Sequence, residues 1–561
     1  MSETPSSVGK ETMSAYEKAA QRRPWMKFYV EADARVPPDS RTALDLFRAV
    51  PPQSQAILYF DGTLDYAALD RLSDSVAAAW AARGVVRGDR IAIVLQNAPQ
   101  FVIAALAAWK LAAIPVSLNP MYRAAELERL FADCGPRAAI CHDDQWDTLA
   151  RAAAGRIGPD LLHWTSGREF QSRDDARVLP PSANAPAGND LAAILAVPAK
   201  PPADPELAAE DVALLLYTSG TTGAPKGAML THRNLVHNAS ICAALFRLGP
   251  GSRIFGVAPL FHVTGFEIQL VSAFAARSAL VLTFRFQPAV VLEAFLEHRP
   301  TFIVGAITAF IALMNEPQAT RAHFASFDRL YSGGAPIAPA VIDAFAQRFG
   351  RAIRSSYGMT ELTAPSHLAP AEGPIPVDPN SGALSIGIPT PGTDVIIVDE
   401  ARNPLGPEEH GEVVVRGAQV MAGYWRKPED TAEILSGGWM HTGDVGFYDE
   451  AGWFYLVDRK KDMISASGFK VWPREVEDVL YGYPGVREAA VVGAPDNYRG
   501  ETVLAYVSAE SGARLDVEAI SSFCRERLAA YKCPRQFIVL DDLPKTATGK
   551  IMRNVLKGSP P

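Results

Sequence analysis

The chain has 561 residues, of which 48% are hydrophobic and 21% are charged. This length is too great for one hydrophobic core and predicts roughly two to four structural units. The formal net charge of −8 argues against a nucleic-acid-binding protein, because contacts with phosphates need a basic face.

The cysteines and the apolar runs narrow the class of protein further. The chain has five cysteines, an odd number, and no CxxC pair, so we expect reduced thiols and neither a disulfide framework nor a zinc site. The start of the chain is polar and lacks the apolar core of a signal peptide. The longest apolar stretch, 101–116, is too short to span a bilayer. We therefore expect a cytoplasmic protein with no transmembrane segment.

The predicted elements of the first half alternate between strand and helix. Residues 1–30 are polar and predict an arm that precedes the organised sequence. Then 91–95 predicts a buried strand, 101–116 a helix and 137–142 another strand. Short apolar runs continue to alternate with helical patterns, which indicates a parallel sheet with helices on its faces. Residues 180–210 are rich in Pro and Ala and predict a surface connection.

The pattern changes after about residue 385. The runs 411–417 and 453–458 predict strands of a smaller, mainly antiparallel layer. Later apolar runs with helices between them predict a separate α+β unit over the last hundred residues or so. The expected division is an arm at 1–30, a large domain at 31–460 and a small domain at 461–561.

A glycine-rich loop is the most informative segment. The buried strand predicted at 212–216 is followed by TSGTTGAPKG at 218–227, and Thr231 is the predicted N-cap of the next helix. Glycines let the backbone approach an anion, hydroxyls donate hydrogen bonds and Lys226 supplies charge, which is the chemistry of a phosphate cradle. The spacing is not that of a Walker A loop, since a glycine follows Lys226 where Ser or Thr would be needed.

TSGTTGAPKG closely resembles the phosphate-loop signature of the adenylate-forming superfamily, which contains acyl-CoA synthetases, adenylation domains of peptide synthetases and firefly-type luciferases. Further motifs of that superfamily follow in the same order between about 200 and 553. The resemblance implies an α/β fold with a large N-terminal domain of parallel and mixed sheets with helices and a small β-rich layer. It also implies a small, mobile α+β C-terminal domain that carries the catalytic lysine.

The resemblance implies a nucleotide site built from several motifs. In SYGMTE (356–361), Tyr357 would stack on adenine, and in WMHTGD (439–444) Asp444 would hold the ribose with help from Arg459. The residues implied to bind ATP or AMP are Thr218, Ser219, Gly220, Thr221, Thr222, Gly223, Lys226, Gly333, Gly334, Ala335, Tyr357, Gly358, Asp444 and Arg459.

The same resemblance implies the catalytic groups. Thr360 would bind a phosphate oxygen and Glu361 would hold Mg²⁺, an ion that prefers carboxylate and phosphate oxygens. Lys550, in PKTATGKIMR (544–553), matches the catalytic lysine, and His262, in PLFH, would lie beside the acyl pocket. The catalytic set is thus Lys550, Thr360, Glu361 and His262, with Glu361 as the metal ligand.

A second state of the enzyme is implied for transfer to coenzyme A. Lys461 falls at the hinge position, about which the small domain would rotate. The loop with Ser467, Gly468 and Lys470 would then face coenzyme A, and Gly468 would let the pantetheine pass close to the backbone.

The acyl pocket indicates a hydrophobic acid. The residues implied to line it are mostly small or apolar, which favours a medium- or long-chain fatty acid or an aryl or alicyclic acid over a dicarboxylate: His262, Val263, Gly265, Phe266, Gly305, Ala306 and Met359. Glu267 lies near these residues in sequence: either it points out of the pocket, or it places an unexpected carboxyl group beside an apolar acyl group, for which the sequence offers no account.

The predicted function is therefore that of an ATP-dependent acid–CoA ligase, with Mg²⁺ as cofactor and with ATP, coenzyme A and a carboxylic acid as its small-molecule partners. One alternative is an enzyme that loads a separate carrier protein, although amino-acid activators of this superfamily usually have an Asp where Phe261 and His262 stand. A luciferase-like oxygenase and an inactive acyl or nucleotide sensor are further alternatives. The oligomeric state stays open, with a homodimer among the options.

Overall fold

The computed structural model describes residues 7–29, 42–183, 185–186, 188–218, 225–335, 337–459, 462–466, 469–496, 500–510, 512–546 and 549–557. Helices and strands alternate through most of this part of the chain. The α-helices are α1 (Ser7–Ala20), α2 (Ala43–Arg48), α3 (Tyr66–Ala82), α4 (Pro99–Lys110), α5 (Ala124–Cys134), α6 (Trp146–Ala153), α7 (Leu191–Leu195), α8 (His232–Leu245), α9 (Ser272–Ala276), α10 (Pro288–His298), α11 (Ile307–Asn315), α12 (Pro339–Phe349), α13 (Pro428–Ile434), α14 (Pro473–Tyr481), α15 (Val517–Arg527) and α16 (Arg553–Lys557). A π-helix spans Thr264–Val271, and short 3-10 helices span Pro24–Phe28, Asp143–Gln145, Pro159–Leu161, Arg321–Phe324 and Thr360–Leu362.

The strands of the described chain are β1 (Gln55–Tyr59), β2 (Gly62–Asp65), β3 (Arg90–Val94), β4 (Ile114–Ser117), β5 (Ala138–His142), β6 (Leu162–Thr165), β7 (Val212–Thr218), β8 (Lys226–Thr231), β9 (Arg253–Phe255), β10 (Ala279–Leu282), β11 (Phe302–Gly305), β12 (Arg329–Ser332), β13 (Ile353–Tyr357), β14 (His367–Leu368), β15 (Ile388–Pro389), β16 (Asp394–Val398), β17 (Gly411–Arg416), β18 (Gly423–Tyr424), β19 (Leu435–Ser436), β20 (Trp439–Tyr448), β21 (Phe454–Arg459), β22 (Ile464–Ala466), β23 (Phe469–Val471), β24 (Val486–Asp496), β25 (Gly500–Ala509) and β26 (Gln536–Val539).

Two large mixed sheets form the body of the molecule. One has the order β15-β14-β13-β12-β11-β9-β10-β1-β2, with its six central strands parallel. The other has the order β18-β8-β7-β4-β3-β5-β6, in which the strands from β7 to β6 are parallel. A continuous hydrophobic core joins both sheets through α3, α4, α8 and the π-helix. The predicted α/β class, with parallel strands and helices on their faces, is confirmed.

Two smaller sheets follow in sequence. The strands β16, β17, β20, β19 and β21 form an antiparallel sheet, as the runs at 411–417 and 453–458 predicted. The strands β22 to β26 form the last sheet, which encloses a core of its own with α14 and α15. The predicted division at 460/461 falls on residues outside the described part of the chain and stays a prediction.

One predicted helix is shorter than its apolar run. The stretch 101–116 was expected to be a single helix, but α4 ends at Lys110 and β4 begins at Ile114. Pro115 explains the break, because proline has no N–H for the helix ladder. Ala112, with a φ of +50°, turns the chain between the two elements.

The N-terminal segment also differs from the expected polar arm. Its described part, 7–29, is largely helical and packs against the antiparallel sheet. The ring of Tyr16 lies edge-on to Trp439 at 5.6 Å, and that of Trp25 lies edge-on to Phe454 at 5.6 Å. These contacts with residues far along the chain therefore hold the N-terminal segment against the sheet, although the segment is polar on average.

The five cysteines, Cys134, Cys141, Cys242, Cys524 and Cys533, are free thiols and all are buried. Within the described residues, no helix is both long and apolar enough to cross a membrane.

Burial of histidines makes the fold sensitive to acid. Burial is the main cause that lowers the pKa of six histidines to about 3 or 4, from an ordinary value of 6.5: His142, His163, His232, His237, His262 and His367. In the unfolded chain these side chains bind protons near pH 6.5, whereas in the folded chain they stay neutral until the pH is much lower. Burial raises the pKa of four acids, which opposes the effect, but the six histidines outnumber them: Asp143, Glu169, Glu267 and Glu408.

We expect the free energy of unfolding to fall as the pH is lowered from 6.5 to about 4.5, as measured by urea titration at a series of pH values. His163→Leu should reduce the slope by up to about 1.4 kcal/mol per pH unit, because one proton fewer is taken up on unfolding. A slope that is unchanged in His163→Leu, or stability that rises toward pH 4.5, would contradict this account.

Candidate active site

Three motif-bearing loops leave the carboxyl ends of neighbouring parallel strands. Gly305 of β11 pairs with Ser332 of β12, which in turn pairs with Ser355 of β13. The loops that start at Ala306, Gly333 and Gly358 therefore begin side by side. In open α/β sheets, ligands bind at this edge of the sheet.

Glycine at 333 is required by the close approach of β13. A Cβ atom at Gly333 would lie 2.4 Å from Ser356 Oγ and 2.7 Å from the Ser356 carbonyl oxygen. The Gly333 N–H donates to the Gly305 carbonyl at 3.2 Å. Gly334 has a φ of +77° and no heavy atom within 4 Å of the position of a Cβ, so this loop presents bare backbone.

The expected adenine and ribose residues lie in direct contact. The Tyr357 hydroxyl donates to Asp444 Oδ2 at 2.6 Å, and both residues are buried. Asp444 lies at a bend in β20, where the Asp444 N–H donates to Thr442 Oγ1 at 3.1 Å and Gly443 has a φ of +71°. Arg459 is the ladder partner of Asp444 in β21. The structure thus brings together the residues that the sequence assigned to one nucleoside.

The expected phosphate and metal residues meet around a tyrosine that sequence reasoning missed. The Tyr424 hydroxyl donates to Glu361 Oε1 at 2.7 Å, and Glu361 is buried. The Lys226 Nζ lies 5.3 Å from the centre of the Tyr424 ring and forms an ion pair with Asp430. Nothing in the local pattern around Tyr424 distinguishes it from a core aromatic, since its contacts are with residues far along the chain.

The base of the glycine-rich loop is a hairpin. Thr218 of β7 pairs with Lys226 of β8, and the Thr218 hydroxyl donates to the Lys226 carbonyl at 3.3 Å. The predicted N-cap is confirmed, because the Thr231 hydroxyl accepts from the Asn234 N–H at 3.2 Å. The tip of the loop, with Ser219, Gly220, Thr221, Thr222 and Gly223, lies outside the described residues.

His262 lies at the entrance to the π-helix and carries a neutral ring. Burial, and then the charge of Lys550, lower the pKa of His262 to about 4. The Thr264 N–H donates to His262 Nδ1 at 3.3 Å, which leaves that nitrogen as an acceptor. Gly265 lets the turn form, since a Cβ there would lie 2.1 Å from the Pro259 carbonyl oxygen.

The loop that carries Lys550 is docked against the large domain. The Thr308 hydroxyl, in the first turn of α11, donates to the Gly549 carbonyl at 3.2 Å. The Lys550 N–H donates to Thr546 Oγ1 at 3.1 Å. The charge of Lys550 contributes, after burial, to the lowered pKa of His262, so the two residues lie within electrostatic range of each other. A second contact joins Arg474 Nη2 to the Ile337 carbonyl at 3.3 Å.

Not every residue implied for the acyl pocket converges there. Val263 is buried at the start of the π-helix, and Gly305 and Ala306 follow one another at the end of β11. Phe266 instead points into the core, with its ring 6.1 Å from Phe101 and 5.9 Å from Trp109. Met359 packs partly against the core of the antiparallel sheet.

The residues expected to serve the second state are only partly described. Ser467, Gly468 and Lys461 lie outside the described residues. Lys470 lies in β23, which pairs with β22 as a hairpin. Their roles stay predictions.

The donor set fits a magnesium ion that is shared with a substrate. Among the described residues, no group of three or more His, Cys, Asp or Glu side chains is arranged to hold a metal ion. Mg²⁺ in phosphoryl sites is usually held by one or two carboxylates, with phosphate and water oxygens completing the shell. The buried carboxylate of Glu361, held by the Tyr424 hydroxyl and near Lys226, suits that arrangement.

Comparisons with known proteins agree with this geometry. The family model of the AMP-binding enzyme matches residues 45–425, and that of the AMP-binding enzyme C-terminal domain matches 475–550. The long-chain-fatty-acid–CoA ligase of Bacillus subtilis (strain 168) is 35% identical over 90% of this chain and 91% of that protein. The feruloyl-CoA synthase of Amycolatopsis sp is 35% identical over 90% of this chain and 96% of that protein. The crystal structure of ATP-bound MatB from Rhodopseudomonas palustris matches with a TM-score of 0.82 and 28% identity, covering 92% of this chain and 98% of MatB.

The chain therefore belongs to the AMP-binding enzyme family, within the adenylate-forming superfamily that the motifs indicated. The two ligases named above are acid–CoA ligases, and this chain aligns with nearly the whole length of each. It is accordingly an enzyme, an acid–thiol ligase of the acyl-CoA synthetase type.

The contact between Thr308 and Gly549 predicts a strong effect of a single methyl group. A Cβ at Gly549, where φ is +81°, would lie 2.2 Å from Thr308 Oγ1. Gly549→Ala should displace the Lys550 loop and lower the rate of ATP–pyrophosphate exchange by at least about tenfold. The left-handed conformation alone costs about 1–2 kcal/mol for a residue with a Cβ.

Gly512→Ala is the matched control for this prediction. Gly512 also has a φ of +81°, but no heavy atom lies within 4 Å of the position of its Cβ. That variant should keep the exchange rate within about twofold, although it carries the same backbone strain. Equal losses in the two variants would mean that backbone strain, not the contact with Thr308, is responsible.

Proposed function

We propose that this ligase activates a hydrophobic carboxylic acid in two steps. The acid first reacts with ATP to give an acyl-adenylate and pyrophosphate, and coenzyme A then takes the acyl group and releases AMP. The observation that carries the proposal is the position of Lys550. Its loop is held by Thr308 beside His262, at the same sheet edge as the loops with Tyr357 and Glu361.

In the first step, an anionic carboxylate attacks the anionic α-phosphate. Lys550 stabilises the negative charge that develops on the carboxylate and the α-phosphate as they react. Lys226 and the hydroxyls of the glycine-rich loop offset the charge of the triphosphate. Fixed cations placed where charge develops are the main catalytic resource in such reactions. The carboxylate is already ionised, so no general base is needed for this step.

The remaining nucleotide contacts are proposed from the motifs. Tyr357 stacks on adenine, Asp444 and Arg459 hold the ribose, and the bare backbone at Gly333 and Gly334 borders the base. Thr360 binds a phosphate oxygen and Glu361 holds Mg²⁺. When bound, that ion neutralises phosphate charge.

In the second step, the small domain rotates near Lys461. This motion withdraws Lys550 and brings the loop with Ser467, Gly468 and Lys470 to the acyl carbonyl. It is a hinge-type change between two defined states. The contact of Gly549 with Thr308 belongs to the first state and breaks in the second.

The acid itself is proposed to be a medium- or long-chain fatty acid or an aryl or alicyclic acid. Val263, Gly305 and Ala306 offer small or apolar walls, which favour burial of an apolar acyl group. Relatives of equal identity are named for a long-chain fatty acid and for a feruloyl group, so both classes enter the proposal.

Lys550→Ala should abolish adenylate formation but spare thioester formation from supplied acyl-adenylate, because Lys550 acts only in the first state. The two rates are measured separately, by pyrophosphate exchange and by thioester yield. Lys545→Ala is the matched control, because Lys545 lies in the same segment as Lys550 but forms ion pairs with Glu488 and Asp542. Equal loss of both half-reactions in Lys550→Ala would contradict the division of labour.

The substrate class is tested by AMP release across a panel of acids, with and without coenzyme A. The panel runs from acetate to long-chain fatty acids and includes benzoate, arylpropionates and cyclohexanecarboxylate. We expect turnover that depends on coenzyme A with a hydrophobic class. Pyrophosphate exchange that coenzyme A does not carry forward would indicate a carrier protein as acceptor, and nucleotide binding without any AMP release would indicate a sensor.

A further inference from the structure

The short strand β18 lies between the base of the glycine-rich loop and the residue proposed to hold magnesium. On one side it pairs with β8, the strand that begins at Lys226, and the Trp425 N–H donates to the Gly227 carbonyl at 2.7 Å. On the other side, the Met421 N–H donates to the Glu361 carbonyl at 2.9 Å. One short stretch of backbone therefore contacts both the phosphate loop and the proposed metal ligand.

The side chain of Tyr424, in this strand, makes the same connection a second time. The Lys226 Nζ lies over its ring, 5.3 Å from the ring centre, and its hydroxyl donates to Glu361 Oε1 at 2.7 Å. The face of an aromatic ring attracts a cation, whereas a phenolic hydroxyl orients a carboxylate through a hydrogen bond. Tyr424 is 8% exposed, and such shielding from water strengthens polar interactions.

The helix that follows β18 fixes the backbone of Tyr424. The Tyr424 N–H donates to Thr431 Oγ1, on α13, at 2.9 Å. A Cβ at Gly423, where φ is +140°, would lie 2.8 Å from Thr431 Cγ2, so this close approach requires glycine. The residue before Thr431 in α13, Asp430, forms the ion pair with Lys226. The same helix thus supports both Tyr424 and the lysine that lies over its ring.

Glu361 lies in a single 3-10 turn, Thr360–Leu362, so contacts from outside that turn help to fix its side chain. Carboxylates that bind a metal are usually held by a further hydrogen bond, and loss of such a partner typically costs about 10- to 100-fold in metal affinity or activity. The Tyr424 hydroxyl is a partner of this kind for Glu361.

We propose that Tyr424 is a positioning residue for adenylate formation. Its hydroxyl orients the Glu361 carboxylate for the magnesium ion of the nucleotide, and its ring holds the Lys226 ammonium group in place for the triphosphate. Tyr424 acts through these two groups and does not itself contact the reacting atoms. The proposal rests on the proposed function and adds to it a residue that the motif resemblance does not assign.

Tyr424→Phe removes the hydroxyl but keeps the ring, so it separates the two roles. Binding of α,β-methylene-ATP, whose α–β bridge is not cleaved, is measured by calorimetry with Mg²⁺ and with EDTA. In the wild type, Mg²⁺ should tighten binding. In Tyr424→Phe that tightening should be smaller by about tenfold, because the Glu361 carboxylate loses its partner. The dissociation constant in EDTA should stay within about threefold, because Lys226 keeps its aromatic neighbour.

Tyr424→Leu removes the ring as well as the hydroxyl. It should lose the same part of the tightening by Mg²⁺. In addition, it should bind the nucleotide in EDTA about two- to fivefold more weakly than Tyr424→Phe, which is the usual effect of losing one cation–π contact.

Tyr59→Phe is the matched control. Tyr59 is also buried, and its hydroxyl donates to the Gly167 carbonyl at 2.7 Å, but it lies on β1, five strands away from β13 in the same sheet. This variant loses a buried hydrogen bond of equal length, so its cost in stability should be similar. Its dissociation constants should stay within about twofold of the wild type with Mg²⁺ and with EDTA, since neither Glu361 nor Lys226 is affected.

The outcomes distinguish this proposal from the proposed function. If Mg²⁺ does not tighten binding by the wild type, the proposed function fails and the role of Tyr424 fails with it. If Mg²⁺ tightens binding equally in the wild type and in Tyr424→Phe, only the role of Tyr424 is rejected. Equal weakening of Tyr424→Phe with Mg²⁺ and with EDTA would also reject that role, because it would indicate a general loosening of the site.

Discussion

Repulsion between an anionic carboxylate and an anionic triphosphate is the constraint on which the arrangement of this enzyme's site depends. The reaction of its class requires these anions to meet, so positive charge and oriented donors must come from more than one part of the chain. The parallel sheet meets this need by ending β11, β12 and β13 side by side. We propose that the C-terminal part of the chain adds Lys550, whose neighbour Gly549 accepts a hydrogen bond from the Thr308 hydroxyl.

Contacts between side chains of the chain itself hold these groups in place. Tyr424 ties Glu361 to the region of Lys226, and Tyr357 ties Asp444 to the end of β13. Each contact joins segments more than sixty residues apart, so the site exists only when the two mixed sheets and the antiparallel sheet are assembled. Such preorganisation matters because donors that are already in place need no reorganisation as charge develops.

Much of this fold and site could be read from the sequence because the signals are local. Glycines after short apolar runs predicted loops at strand ends, and Thr231 followed a strand in a form typical of an N-cap. The motif resemblance supplied Tyr357, Asp444 and Lys550, and the structure places the first two in contact. Contacts that depend on long-range packing had no such signal. Tyr424, Thr308 and the π-helix resemble ordinary core sequence, and Tyr16 and Trp25 are isolated apolar residues in a polar segment.

The central claim is that the Lys550 loop, docked at Thr308, defines the state that forms the adenylate. The Thr308 hydroxyl donates to the Gly549 carbonyl at 3.2 Å. The most direct test is therefore Thr308→Val, which removes that donor, assayed separately for pyrophosphate exchange and for thioester formation from supplied acyl-adenylate. We predict that the exchange rate falls by about fivefold, the effect of losing one hydrogen bond of about 1 kcal/mol, while thioester formation from supplied acyl-adenylate is unchanged. An unchanged exchange rate, or equal loss of both half-reactions, would contradict the account.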